Sequence, residues 1–142
     1  MKKFFFLLIF SSSAVFACPQ LAGSYSCTGE GVSYKMDIIQ NEENAVTSYS
    51  VNNGEEIRNY IADGLTRSHQ VMVGNDAVPG NLTATCIDSR LGVQFLGKYQ
   101  DLDIDYAEGI SLTAEGKVTV EKIIKTNGTL FSTENFICAL NN

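Results

Sequence analysis

The stretch Val118-Thr119-Val120-Glu121-Lys122-Ile123-Ile124-Lys125-Thr126-Asn127-Gly128-Thr129 decides how this chain folds. Val118, Val120, Lys122 and Ile124 fall on one side of an extended chain, and Thr119, Glu121, Ile123 and Lys125 on the other. Alternation with Val, Ile and Thr enrichment is the pattern of a half-buried strand, whereas an amphipathic helix repeats its apolar residues every three to four positions. Asn127-Gly128 then supplies the left-handed backbone that a two-residue hairpin turn requires.

The same period runs outward from this hairpin. Tyr25 and Cys27 alternate with polar residues, as do Tyr34, Met36 and Ile38, then Leu65, Arg67, His69, Val71 and Val73, then Leu102, Ile104 and Tyr106. Asn53-Gly54 and Asp63-Gly64 repeat the turn signal, Glu115-Gly116 and the Asn41-Glu42-Glu43-Asn44 segment add weaker ones, and Pro79-Gly80 closes a loop that opens near Gly74. The pattern predicts an all-β domain, an antiparallel up-and-down meander of about eight to ten strands. Closing such a twisted meander removes its exposed edges, so a closed or nearly closed β-barrel is expected, with a β-sandwich as the alternative.

The chain has 142 residues and opens on Met1-Lys2-Lys3, an apolar run from Phe4 to Phe10, then Ser11-Ser12-Ser13 and Val15-Phe16-Ala17. A positive start, a short apolar core and a small residue at the cut describe a secretory signal peptide over 1–17, cleaved between Ala17 and Cys18. Residues 18–142 are then one domain, exported to the periplasm or the medium. The apolar run is shorter than the roughly 20 residues a membrane-crossing helix needs. Losing Lys2 and Lys3 takes the net charge from −6 to −8, eight bases against sixteen acids. That balance argues against a nucleic-acid partner, because phosphate binding needs a surplus of Lys and Arg.

Cys18, Cys27, Cys86 and Cys138 form an even set, which in an oxidising compartment predicts two disulfides. Barrel closure would set the start of the first strand beside the end of the last, pairing Cys18 with Cys138 and Cys27 with Cys86. Val15-Phe16-Ala17-Cys18 also resembles a bacterial lipobox, with Phe16 where a smaller residue is usual. On that alternative the protein is an outer-membrane lipoprotein that meets the membrane only through an anchor at Cys18.

Leu21-Ala22-Gly23-Ser24-Tyr25 is similar to the Leu-x-Gly-x-Trp opening of the calycin barrels, the lipocalin and avidin relatives, with Tyr25 where Trp is usual. The resemblance implies that the glycine turns the chain into the first strand, that the aromatic residue plugs the barrel base, and that the barrel holds a small-molecule pocket.

Chemistry-bearing residues are sparse. His69 is the single histidine, and no Gly-x-Ser-x-Gly elbow accompanies it. One histidine beside oxidised cysteines does not make a zinc site, and no cofactor is expected. Tyr25, Tyr34, His69 and Tyr106 are the candidate ligand-lining residues. Asp101, Asp103, Asp105 and Glu108 concentrate carboxylates in one short stretch, either a weak Ca²⁺ site or a solvated face that discourages edge pairing. The EF-hand pattern fails there at Tyr106 and Leu112. These features point to an exported, non-enzymatic barrel that binds a small apolar or amphipathic ligand. The alternative is a structural or interaction protein of the cell envelope with a packed interior. A hydrolase built on Asp101 or Glu108 would need a geometry that acids alone do not define.

Overall fold

The computed structural model describes residues 18–141, so the expected signal peptide and its Ala17 cleavage position lie outside the described residues. The described chain forms β1 (Gly23–Gly29), β2 (Val32–Glu43), β3 (Val46–Asn52), β4 (Ile57–Ile61), β5 (Thr66–Val73), β6 (Asp76–Ile87), β7 (Arg90–Tyr99), β8 (Leu102–Leu112), β9 (Val118–Thr126) and β10 (Thr129–Leu140), with no helix among these residues. All ten strands belong to one antiparallel sheet in the order β4-β3-β2-β1-β10-β9-β8-β7-β6-β5. The all-β meander read from the alternation is therefore the observed fold, curled into a half-barrel.

First and last strands pair as barrel closure requires, Tyr25 opposite Leu140 and Cys27 opposite Cys138. The missing junction lies elsewhere, between β4 and β5. Asp63-Gly64 does not make the hairpin its sequence suggests. Instead the link it belongs to spans the gap: Ala62 N–H donates to the Thr47 carbonyl on β3, and Gly64 N–H donates to the Ala84 carbonyl on β6, both at 2.9 Å. The chain satisfies its backbone groups with strands on either side, so β4 and β5 are not drawn into register.

Asn127 and Gly128, with φ of 49° and 76°, form the β9–β10 turn that their identities predict, and Glu30-Gly31 does the same between β1 and β2. Pro79-Gly80, expected in a loop, lies inside β6. Pro79 pairs with Gln70 of β5, while the ladder to β7 begins only at Gly80, so the missing N–H faces an already incomplete pairing.

The disulfides correct the expected connectivity. Cys27 bonds to Cys138 and Cys18 bonds to Cys86. The last strand does pair with the first, but the residue in register with Cys138 is Cys27, nine positions after Cys18. Cys18 precedes β1 and crosses the base of the half-barrel to β6. Its sulfur is the atom that lipobox acylation would modify, and here it is engaged with Cys86.

Leu21, Tyr25, Tyr49, Val51, Leu91, Ile110, Val118 and Val120 fill the base and are buried. Tyr25 donates its hydroxyl to the Leu21 carbonyl at 2.8 Å, and Tyr49 donates to the Pro19 carbonyl at the same distance. These bonds pin the N-terminal segment under the sheet and give each buried phenol a partner. Tyr25 is thus buried at the base beside Leu21.

Candidate functional site

Strand β4 reads Ile57-Arg58-Asn59-Tyr60-Ile61, and its register turns the two isoleucines outward. Ile57 is 64% exposed and Ile61 43%, whereas Tyr60 is 2% exposed. The cause is the pairing with β3: Val51 faces Arg58 and Tyr49 faces Tyr60, and cross-strand partners share a face of the sheet. Val51 and Tyr49 are core residues, so Arg58 and Tyr60 must enter the interior. A one-residue slip would bury the isoleucines instead. The β3–β4 turn prevents it: the Asn53 side-chain oxygen accepts from Glu55 and Glu56 N–H at 3.0 Å, and Asn52 accepts from Gly54 N–H at 2.9 Å.

Inside, Arg58 reaches across to β8. Its Nη1 donates to Glu108 Oε2 at 2.9 Å and to the Tyr106 hydroxyl at 3.0 Å. The same Glu108 oxygen accepts from the Tyr60 hydroxyl at 2.9 Å. The remaining edge of the guanidinium faces Glu56, Nε to Oε1 at 3.3 Å, without a hydrogen bond at Nε among the described residues. Burial opposes the charge on Arg58, but Glu108, with Tyr60, Tyr106 and Glu56, outweighs it and raises the guanidinium pKa further. Tyr60 and Tyr106 are pushed above the ordinary phenol range, first by burial and then by the Glu108 charge, so both remain protonated.

Tyr34 on β2 joins this cluster. Burial, then Glu108 and Glu134, push its hydroxyl up to about 12, against the opposing pull of Arg58. Its ring meets Phe136 edge to face at 5.1 Å, and the Lys122 ammonium lies 6.0 Å from the Tyr34 centroid and 5.5 Å from that of Phe136. The interior thus changes character along the strands. The base is closed by aliphatic and aromatic packing, and beyond it stands a half-buried set of phenols, carboxylates and two cations.

Of the ligand-lining candidates, Tyr34 and Tyr106 belong to this cluster. Tyr25 is committed to the base. His69 sits on the edge strand β5 opposite Gly80, edge-on to Phe95 with centroids 6.4 Å apart. The four acids of the Ca²⁺ reading do not converge. Asp101 lies in the β7–β8 turn, Asp105 accepts from Gln94 on the outer face, and Glu108 points the opposite way into the core. Strand alternation separates Asp103 and Asp105 from Glu108, because an odd spacing reverses the face. No group of three or more potential metal ligands occurs among the described residues.

Arg58, Lys122 and the inward orientation of Glu108 do not stand out from the sequence. The signal was present at two of them. Lys122 is in phase with Val118 and Val120, and Glu108 is in phase with Tyr106 and Ile110.

A separate cleft of about 380 Å³ opens at the base, lined by the Cys18–Cys86 disulfide with Gln20, Glu42, Thr47 and Asp63. Asp63 is held well below the usual carboxylate range by the Arg67 guanidinium, to which it accepts two hydrogen bonds.

A solved structure described as "REP1-NXSQ fatty acid transporter" shares this fold, with a TM-score of 0.53 over 86% of this chain and 96% of that one. Identity is 12%, so the likeness concerns architecture alone. No protein-family model matches the chain, and no curated protein matches it in sequence.

Proposed function

We propose that this protein is an exported, non-enzymatic binding module that holds a small apolar or amphipathic molecule in the open half of its β-barrel. The observation that carries the reading is the inverted strand β4. Its register leaves Ile57 and Ile61 in water and places Arg58 and Tyr60 in the interior, at a cost of several hydrophobic contacts. A protein whose interior served packing alone would gain by the opposite register. Similarity of fold to a protein described as a fatty acid transporter supports the same class of ligand. Two disulfides fit an oxidising compartment, in keeping with removal of residues 1–17 on export.

The base favours a second reading, an envelope protein with a packed interior, since Leu21, Tyr49, Leu91 and Ile110 leave that half filled. Native mass spectrometry of the protein purified from its own host separates the two. A copurifying small molecule, with saturable uptake of an apolar fluorescent probe after its removal, is the expected result. A ligand-free mass together with no saturable uptake rejects the binding reading.

A further inference from the structure

The inward positions of three adjacent strands carry acid, base and acid. Glu108 on β8 is in register with Lys122 on β9, and Lys122 is in register with Glu134 on β10. Lys122 makes no ion pair among the described residues; its ammonium rests against the rings of Tyr34 and Phe136 instead. Aromatic faces attract cations through their quadrupoles, and the attraction strengthens as water is excluded. The structure therefore already seats one ammonium on this aromatic corner.

The charges around the corner sum to an excess of acid. Arg58 and Lys122 stand against Glu56, Glu108 and Glu134. The Arg58 charge is already shared between two carboxylates, with Nη1 donating to Glu108 Oε2 and Nε 3.3 Å from Glu56 Oε1. A carboxylate entering here adds to the excess negative charge in a partly desolvated space, while an ammonium that takes the seat of Lys122 keeps the local balance as it is. Lys122 can yield its place, since a long lysine stem lets the head withdraw to water.

Resting on the ligand-binding reading above, we infer that this half-barrel selects amphiphiles with an ammonium head over those with a carboxylate head. The ligand's cation takes the Tyr34–Phe136 corner between Glu108 and Glu134, and its chain points away from the packed base.

The test is titration of the oxidised protein, at neutral pH and below micelle formation, with dodecylammonium, dodecanol and dodecanoate. The expected result is ammonium binding about tenfold tighter than carboxylate, with the alcohol between them. Glu134→Gln narrows that ratio, and Asp105→Asn on the outer face, an equal change of net charge, leaves it in place. Carboxylate binding as tight as ammonium, or a ratio that both variants shift equally, overturns the head-group selectivity while ligand binding stands. Saturable binding by none of the three overturns the binding reading itself, and the selectivity with it.

Discussion

Arg58 on β4 and Glu108 on β8 meet across the interior of the sheet, Nη1 to Oε2 at 2.9 Å, although no backbone hydrogen bond joins β4 to the far half of the half-barrel. The edge strand is held by side chains. Glu108 gathers both Arg58 and the Tyr60 hydroxyl, so two residues of β4 are anchored on one carboxylate. Removing Arg58 leaves the buried Glu108 without a cation, and removing Glu108 leaves Arg58 only the exposed Glu56. Glu108→Leu or Arg58→Met is expected to cost about 3–5 kcal/mol. An Arg58→Met/Glu108→Leu double variant should cost clearly less than the sum of the single changes. Urea unfolding of the four proteins, treated as a double-mutant cycle, checks the coupling.

The two disulfides differ in access. Cys27 and Cys138 are both 0% exposed, whereas Cys18–Cys86 lines the open cleft at the base. Mild treatment with a dithiol is expected to reduce Cys18–Cys86 first, because exchange requires approach of the attacking thiolate to sulfur. Alkylation and peptide mass mapping read the order. The Cys18–Cys86 bridge spans a sequence separation of 68, so Cys18→Ala/Cys86→Ala should lower stability by about 4 kcal/mol on the chain-entropy account.

Phe95 lies over a pair of glycines. Gly80 and Gly97 face each other across β6 and β7, and a Cβ on Gly97 would come within 2.6 Å of the Phe95 ring. Gly97→Ala therefore forces the ring off its seat, at about 1–3 kcal/mol. In a Phe95→Leu background the penalty of Gly97→Ala should shrink. Thermal unfolding of the two single variants and the double variant reports it.

Alkaline stability follows from the buried phenols. Burial pushes the hydroxyls of Tyr34 and Tyr49 up to about 12, above the ordinary phenol value near 10. Between about pH 10 and 12 the unfolded chain gives up these protons and the folded chain keeps them. The linkage sign is then negative: the tyrosine contribution is intact below pH 10 and is lost as pH rises toward 12. Chemical unfolding at about pH 9 and about pH 11, with phenolate absorbance followed in parallel, should show lower stability at the higher pH and late ionisation of these two rings.

Ala45 occupies a left-handed position, φ 63°, in the two-residue turn between β2 and β3. A Cβ is disfavoured there, and glycine is not. Ala45→Gly is expected to raise stability by roughly 0.5–1 kcal/mol, the reverse of its effect inside a strand. The midpoint of urea unfolding measures it.

The local code of this protein was legible because strands and tight turns depend on near neighbours. Alternation over Val118–Thr126 identified β9, and Asn127-Gly128 its turn, with no need of the rest of the chain. Met36, Ile38, Val118 and Val120 lie in the core as their phase requires. Where two assignments were locally equal, the partner strand chose. Ile57 and Ile61 look like core residues in isolation, and only pairing of β4 with Val51 and Tyr49 sends them outward and Arg58 inward.

Long-range register likewise decided which cysteines meet and where the sheet stays open. By itself, the amino-acid sequence determined an acidic, all-β meander with a first strand that returns to the last. Tertiary structure alone decided that β4 and β5 remain unpaired and that Cys18 staples the base to β6. It also assembled Arg58, Glu108, Tyr34 and Lys122 into one interior site. The physical reason is separation along the chain. β2 and β4 are far in sequence from the β8–β9 pair, and their side chains meet it only after curvature and register have been set for the whole sheet.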